Sequence, residues 1–193
     1  MQTVDRPNFG LCLDTYNIAG REFGDPASAD GQTSPDAYHR FQASMAKMAR
    51  TIDVNKVFYV QVVDGERLEG VLDEKHPFYV KEQKPRMSWS RNARLFACEE
   101  ERGGYLPIEE VVRAITEGLG YKGWISMELF SRTLLEKGED VPREHAERAV
   151  RSWERLVERM GWSQEVEGES AMKDGKGRNN SLLTEEREIS ARL

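Results

Sequence analysis

The stretch VFYVQVV, residues 57–63, decides the fold class of this 193-residue chain. It is apolar at every position except Gln61, and it is rich in the valine and aromatic residues that favour β-strands. A strand that is apolar on both faces is typical of a parallel sheet covered by helices on each side. The stretch therefore predicts a buried parallel strand that carries one polar side chain.

The rest of the chain alternates predicted strands with predicted helices. Proline is favoured in the first turn of a helix, and three prolines mark such starts. The alternation predicts an α/β fold with right-handed crossovers between parallel strands. The predicted strands are 9–14, 57–63, 94–98 and 124–130, and the predicted helices begin at Pro35, Pro107 and Pro142.

The last predicted helix ends at Gly161 and places one apolar side toward the core. The histidines of the chain are predicted to be solvated, because none lies where a general base would be expected at a strand end. The apolar side of the helix is predicted to consist of Ala146, Val150, Trp153, Val157 and Met160, and the histidines are His39, His76 and His145.

Two segments depart from this pattern. Residues 64–93 predict a long polar loop, and loops of that length are uncommon unless they are functional. Residues 163–193 are rich in Glu, Lys, Gly, Asn and Ser, which predicts a disordered tail. Residues 1–162 are then expected to form one α/β domain, which is long enough for a core of its own.

The overall composition argues against several function classes. The net charge is −6, whereas a nucleic-acid partner usually requires a basic face. No apolar run approaches the roughly 18 residues of a membrane helix, and no signal peptide is recognised at the N-terminus. Cys12 and Cys98 are too few for a disulfide framework, and each lies in an apolar run where cysteine is usually a core residue. These features predict a cytoplasmic protein without a membrane or nucleic-acid partner.

Three predicted strands each carry one polar side chain with oxygen ligands in an otherwise apolar run. They are Asp14 in LCLDTYN, Gln61 in FYVQVVD and Glu128 in GWISMELF. A buried carboxylate needs a cation or hydrogen-bond donors, and the carboxyl ends of parallel strands gather at one edge of the sheet. The three side chains therefore predict a site for a divalent metal such as Mg²⁺ or Mn²⁺. The alternative is that each is a polar core residue with an ordinary hydrogen-bond partner.

A second cluster lies in MSWSRNARLF, residues 87–96. Ser90, Arg91, Asn92 and Arg94 come just before a predicted strand. Arginine offers a planar fork that binds a carboxylate through two hydrogen bonds, so the cluster is a candidate site for an acidic small molecule. The alternative is a surface loop with solvated arginines.

Four long stretches of the chain carry a resemblance to a known family. They are RPNFGLCLDTYNIAGR, VFYVQVVDGERL, MSWSRNARLFACEEERGGYLP and GWISMELFSRTL. Together they resemble the fungal-type 3-dehydroshikimate dehydratases, which belong to the xylose isomerase-like TIM-barrel superfamily of sugar isomerases and epimerases. The resemblance covers about residues 4–160 of this chain.

The resemblance implies a (β/α)8 TIM barrel, of which this chain would supply the C-terminal half, strands five to eight. It implies that Asp14, Gln61 and Glu128 bind a divalent metal, Mn²⁺ or Mg²⁺ and also Co²⁺. The family's strand-four glutamate, a fourth ligand, has no counterpart in this sequence. The histidine that removes a proton in the family has none either, so the base is expected to lie in the N-terminal half of the barrel.

The resemblance also implies a reaction and a substrate. Loss of water from 3-dehydroshikimate gives protocatechuate, through removal of a proton next to a ketone. Ser90 and Arg94 would contact this small carboxylated cyclic substrate. Asn17 stands where bacterial relatives carry histidine, which makes it a further candidate for substrate binding.

Three hypotheses follow for the function. The first is a metal-dependent dehydratase chain that is truncated, and is weakly active or inactive alone. The second is a sugar isomerase or epimerase of the same superfamily, against which WSRNAR argues because it suits an acidic substrate. The third is a non-catalytic half barrel that forms a homo-oligomer through open sheet edges. A DNA-repair endonuclease of the superfamily would need more metal ligands and a basic face.

Overall fold

Short strands and longer helices build residues 6–162, which are the residues that the structure, a computed structural model, describes. The predicted tail at 163–193 lies outside them. None of the helices in the described part of the chain is long and apolar enough to cross a lipid bilayer. The strands are β1 (Leu11–Asp14), β2 (Val57–Gln61), β3 (Asp64–Gly65), β4 (Arg94–Leu95) and β5 (Ile125–Ser126). The α-helices are α1 (Thr15–Glu22), α2 (Ala37–Thr51), α3 (Pro85–Asn92), α4 (Ile108–Arg113) and α5 (Val141–Met160).

A parallel sheet forms the centre of the fold, with its strands in the order β1–β2–β5. Asp14 pairs in register with Gln61, and Gln61 pairs in register with Ser126. The sheet and its helices confirm the predicted α/β content and the predicted parallel pairing. This register brings the carboxyl ends of the three strands to one edge of the sheet.

The prediction of a strand at 94–98 is wrong in length and in pairing. Only its first two residues are extended, and β4 pairs antiparallel with β3 instead of joining the parallel sheet. The chain turns directly afterwards, because the Glu99 carboxylate accepts the backbone N–H of Phe96 at 3.0 Å and Cys98 has a φ of 60°. Since β4 is not part of the parallel sheet, β5 is the strand that pairs with β2.

Two helices, α1 and α3, are missing from the predicted elements. Asp14 caps α1, since its Oδ1 atom accepts the backbone N–H of Asn17 at 2.8 Å. Helix α3 lies inside the predicted loop 64–93, and Pro85 occupies its first turn. The loop prediction is therefore wrong for residues 85–92. Both helices begin with a residue type that favours helix starts, so a signal for each was present in the sequence.

Trp89 fixes α3 to the core. Its side chain is 1% exposed, its ring centre lies 4.8 Å from that of Tyr16, and its Nε1 donates to the Glu66 carbonyl oxygen at 2.8 Å. Gly65 passes so close that an added Cβ would lie 2.7 Å from the Trp89 ring and 2.9 Å from the Tyr16 ring. Burial of a side chain this large contributes about 3 kcal/mol. The packing places α3, and with it Ser90, beside α1.

Three of the six buried residues of α5 are polar, so its predicted apolar face is right for Val157 and Met160 and wrong for the other members. Arg148 and Ser152 are buried, whereas Val150 is 57% exposed. Arg148 donates from Nε and Nη2 to the two carboxylate oxygens of buried Glu99, each at 2.8 Å. Ser152 donates to the carbonyl oxygen of Ala97. These partners rotate the helix away from the orientation that its apolar pattern indicates.

Asp64 buries its carboxyl group just beyond the end of β2. It is 4% exposed, and its Oδ1 accepts the backbone N–H of Gly65 at 2.6 Å and of Leu106 at 3.0 Å. Burial raises the pKa of Asp64 to about 7, although the backbone N–H donors act in the opposite direction. The carboxyl group therefore holds the start of α4 near β3, and it exchanges its proton near neutral pH.

We expect the free energy of unfolding to fall as the pH rises from about 4 to 7. An ordinary aspartate loses its proton near pH ~3.9, whereas folded Asp64 keeps its proton up to about pH 7, so the folded state binds one more proton in this window. The slope from one such group is at most about 1.4 kcal/mol per pH unit. Urea unfolding across the window measures this slope.

The matched variants for this test are Asp64→Asn and Glu74→Gln. Asp64→Asn should flatten the pH dependence, because the titrating group is gone. Glu74 is exposed, so Glu74→Gln should leave the curve unchanged. A full slope retained in Asp64→Asn would show that another group is responsible.

Candidate metal and substrate site

The side chains of Asp14, Gln61 and Glu128, here named the acidic cradle, meet at the carboxyl edge of the parallel sheet. Nε2 of Gln61 donates to Oε1 of Glu128 at 2.8 Å. Nη1 of Arg94 donates to Oδ2 of Asp14 at 2.9 Å and to Oε2 of Glu128 at 2.8 Å. The structure thus brings the three predicted metal ligands together, with the Arg94 guanidinium between the two carboxylates.

Arg94 is held on all sides. It is 4% exposed, and its Nε and Nη2 donate to Oγ of Ser90 at 3.2 and 3.1 Å. Its guanidinium carbon lies 4.5 Å from the Tyr16 ring centre and 5.3 Å from that of Phe130, which is within the range of cation–π attraction. The alternative of a solvated arginine is therefore wrong for Arg94, although Arg91 is exposed.

The two carboxylates of the cradle differ in burial, but each accepts two hydrogen bonds. The Asp14 side chain is 8% exposed and that of Glu128 is 30% exposed. Asp14 accepts from the backbone N–H of Asn17 and from Arg94, one on each oxygen. Glu128 accepts from Gln61 and from Arg94, again one on each oxygen. Since Arg94 supplies one positive charge to two carboxylates, the cradle and Arg94 together keep one net negative charge.

Cys12 lies beside the cradle and is exposed, so its prediction as a core residue is wrong. Its Sγ donates to Oε1 of Gln61 at 3.3 Å. Loss of hydration raises the pKa of the Cys12 thiol, and the negative charges of Asp14 and Glu128 raise it further. A thiol with a raised pKa is a poor nucleophile at neutral pH. The contact with Cys12 therefore places the amide oxygen of Gln61 on the side of the thiol.

The three histidines have different surroundings. His39 is exposed on α2, as predicted. The prediction of a solvated His145 is wrong, since it is 9% exposed and its Nε2 lies 2.9 Å from Oγ1 of Thr133. His76 packs against the ring of Phe78 at 4.9 Å between ring centres. His145 contacts Thr133 and the Val141 carbonyl oxygen, and His76 contacts Phe78, and none of these partners belongs to the cradle.

A cavity of about 320 Å³ lies between α1 and α3. The predicted substrate-binding residues Asn17 and Ser90 both line it. Arg21 and Arg86 add positive charge that sequence reasoning missed, because they lie on the two helices that were not predicted. Arg86 also pairs with Asp25 at 3.1 Å. The lining residues are Tyr16, Asn17, Gly20, Arg21, Arg86, Met87, Trp89 and Ser90.

The chemistry of the acidic cradle fits a divalent cation. Two carboxylates and an amide oxygen are the type of ligand that Mg²⁺ and Mn²⁺ take. The Arg94 Nη1 atom lies within 2.9 Å of both carboxylates, so it marks a point at which Asp14 and Glu128 hold one cation together. Within residues 6–162, no cluster of three or more His, Cys, Asp and Glu side chains suited to a metal is found. The third ligand from this chain would therefore be the amide oxygen of Gln61.

The parallel α/β fold and the site at the strand ends define a class of protein. A family profile described as the xylose isomerase-like TIM barrel matches residues 1–156, and the chain belongs to this family. Among curated proteins, the 3-dehydroshikimate dehydratase of Neurospora crassa is 54% identical to this chain over 158 residues. The match confirms the family resemblance. It covers 82% of this chain and 44% of the relative, so the chain spans less than half of that relative's length.

Two solved structures resemble the fold. A xylose isomerase-like TIM barrel/4-hydroxyphenylpyruvate dioxygenase fusion protein gives a TM-score of 0.51 at 21% identity, over 82% of this chain and 18% of that chain. An IOLI protein solved with a zinc atom gives a TM-score of 0.46 at 16% identity, over 82% of this chain and 41% of that chain. The first of these supports the TIM-barrel fold family.

Proposed function

We propose that this chain carries the metal-binding and acid-binding part of a 3-dehydroshikimate dehydratase site. The observation that carries the proposal is the contact of Arg94 with Asp14 and Glu128, which sets a carboxylate-binding side chain against the acidic cradle. The identity of 54% to the Neurospora crassa dehydratase supports it. The proposed reaction is the loss of water from 3-dehydroshikimate to give protocatechuate, a step of quinate and shikimate breakdown.

In this proposal, Asp14, Gln61 and Glu128 hold a divalent ion, Mn²⁺ or Mg²⁺ and also Co²⁺. A divalent ion held by these residues would polarise the ketone of the substrate and so make the neighbouring proton acidic. Arg94 binds the carboxylate of the substrate, because a guanidinium forms two parallel hydrogen bonds with that group. Ser90 positions the guanidinium through Nε and Nη2.

The cavity between α1 and α3 is the proposed place of the substrate ring. Asn17 and Ser90 line it together with Arg21 and Arg86, and this positive charge favours an acidic substrate over a neutral sugar. The Tyr16 hydroxyl is buried and has no hydrogen-bond partner among the described residues, so it is one polar atom available to a ligand. A neutral sugar has no carboxylate to pair with these arginines. A sugar isomerase or epimerase is therefore the weaker proposal.

We further propose that residues 1–162 correspond to strands five to eight of the family barrel. On this mapping, the strand-four glutamate and the proton-removing histidine have no counterpart. Within 6–162, no third His, Cys, Asp or Glu side chain joins Asp14 and Glu128 in a metal cluster. The proposal is therefore that the chain alone has little dehydratase activity. The two free cysteines favour a cytoplasmic location.

Protocatechuate formation tests the reaction. The purified 193-residue chain, supplied with Mn²⁺ and 3-dehydroshikimate, is expected to form little or no product, because on the proposed mapping the proton-removing histidine of the family has no counterpart in it. The full-length Neurospora crassa dehydratase, assayed in parallel, is the positive control. Product formation by this chain at the rate of that control would overturn the proposal that the base lies elsewhere.

Replacement of Glu128 tests the metal ligands. Glu128→Gln removes one charged ligand and should weaken Mn²⁺ binding by about 100-fold, since even partners outside the ligand shell contribute 10–100-fold. Titration calorimetry on the purified chain measures the affinity. Glu136→Gln removes an exposed carboxylate from the same segment and should leave Mn²⁺ binding unchanged. Equal affinity in Glu128→Gln and the parent chain would remove the metal assignment.

Self-association is a second proposed function, favoured by the aromatic side chains that the parallel sheet exposes. Tyr59 of β2 is 36% exposed, and Trp124, which lies level with it beside β5, is 83% exposed. An open sheet with exposed apolar side chains pairs readily with another chain. We propose that two copies of this chain associate through this surface.

Light scattering at micromolar concentration tests the association. The parent chain is expected to have twice the mass of one copy. Trp124→Ser should shift it toward the mass of one copy, because it removes the most exposed aromatic side chain of the surface. Val150→Ser, on the exposed side of α5, is the matched control and should leave the measured mass unchanged. A monomeric parent chain would rule the association out.

A further inference from the structure

One nitrogen atom serves both carboxylates of the acidic cradle. Nη1 of Arg94 lies 2.9 Å from Oδ2 of Asp14 and 2.8 Å from Oε2 of Glu128. We infer that Arg94 and the metal ion exclude each other from this position, so that binding of the ion releases Nη1 of Arg94 to take the carboxylate of the substrate. Metal binding then precedes acid binding. The inference rests on the proposed function, because it concerns the ion of that proposal.

The competition follows from which oxygens are free. Oδ1 of Asp14 accepts the N–H that caps α1, and Oε1 of Glu128 accepts Nε2 of Gln61. The other oxygen of each carboxylate faces Arg94. An ion held by both carboxylates must use these two oxygens, and it would then lie in contact with a like charge. The guanidinium nitrogen and the ion cannot share the position, so one of them leaves it.

The charge of the site explains why the order matters. With Arg94 in the cradle, the site keeps one net negative charge, which repels an acidic substrate. Four of the five N–H groups of Arg94 are engaged, two with the carboxylates and two with Ser90. With a divalent ion added, the net charge of the cradle and Arg94 becomes one positive charge. The ion also takes the place of the two Nη1–H donors, which are then free. The site then has both the charge and the donors that a carboxylate requires.

The surroundings of Arg94 allow this exchange without unfolding. Its backbone N–H donates to the Phe130 carbonyl oxygen at 3.1 Å, which fixes the main chain. The Tyr16 and Phe130 rings and the Ser90 hydroxyl hold the guanidinium from the sides that do not face the cradle. Because the guanidinium is planar, Nη1 leaves the carboxylates when the whole group tilts on its contacts with Ser90. Arg94 is thus kept beside the cradle in both arrangements.

Titration of Mn²⁺ into the 193-residue chain, followed by the electron paramagnetic resonance of free Mn²⁺, tests the inference. Arg94→Gln should bind Mn²⁺ at least about 10-fold more tightly than the parent chain, because the competing charge is gone. Arg91→Gln is the matched control. Arg91 is exposed and donates to Gln83 at 2.7 Å, so its replacement should leave the affinity unchanged.

A second measurement follows the unaltered chain, and a variant serves only to assign the signal. An Nη–H signal of Arg94 that is protected by its ion pairs should be visible in NMR spectra without metal, and saturating Mg²⁺ should remove this protection. Its assignment comes from its loss in Arg94→Lys. A protected signal that persists at saturating Mg²⁺ would overturn the inference.

The outcomes separate the inference from the proposed function. Tighter Mn²⁺ binding by Arg94→Gln, with weak binding by Glu128→Gln, supports both. Equal or weaker binding by Arg94→Gln, with weak binding by Glu128→Gln, keeps the metal site and overturns the competition. No Mn²⁺ binding by the parent chain or by Arg94→Gln overturns both.

Discussion

The ion pair that joins Arg94 to Asp14 and Glu128 is the interaction on which the site depends. In sequence, Asp14 lies 80 residues from Arg94 and Glu128 lies 34 residues away. One guanidinium therefore connects the end of β1, the start of β4 and the segment after β5. Loss of one partner from such a buried pair costs about 3–5 kcal/mol, because a charge is left without compensation. The groups proposed to bind the metal and the substrate thus also hold the sheet edge together.

Sequence reasoning was sufficient to find the acidic cradle. Asp14, Gln61 and Glu128 each interrupt an apolar run, and parallel pairing places the ends of neighbouring strands side by side. The register then aligns Asp14 with Gln61, and Gln61 with Ser126, two residues before Glu128. A local pattern combined with one rule of sheet geometry therefore predicts that these side chains converge. The rule needs neither the lengths of the strands nor the positions of the helices.

The remaining features depend on partners that are distant in the chain. Arg94 is predicted to face a substrate, yet its position is set by the rings of Tyr16 and Phe130 and by the two carboxylates. The orientation of α5 depends likewise on Arg148, whose partner Glu99 is 49 residues away. A charged residue on a helix is expected to face solvent unless its partner is known. For this reason the apolar pattern of α5 places Val150 in the core, where the structure leaves it exposed, and the turn after β4 ends a strand that its composition favours.

The orientation of the Gln61 amide determines what the proposed binding of a cation would require of this side chain. Its NH₂ group faces Glu128, and its oxygen faces the thiol of Cys12. To offer its oxygen beside Glu128, the amide must rotate by about 180°, since oxygen and nitrogen lie on opposite sides of the group. The rotated amide sets two oxygens against each other, which is unfavourable unless a cation lies between them. A cation bound beside Glu128 would therefore favour the rotated amide, in which Gln61 no longer offers its oxygen to the thiol of Cys12.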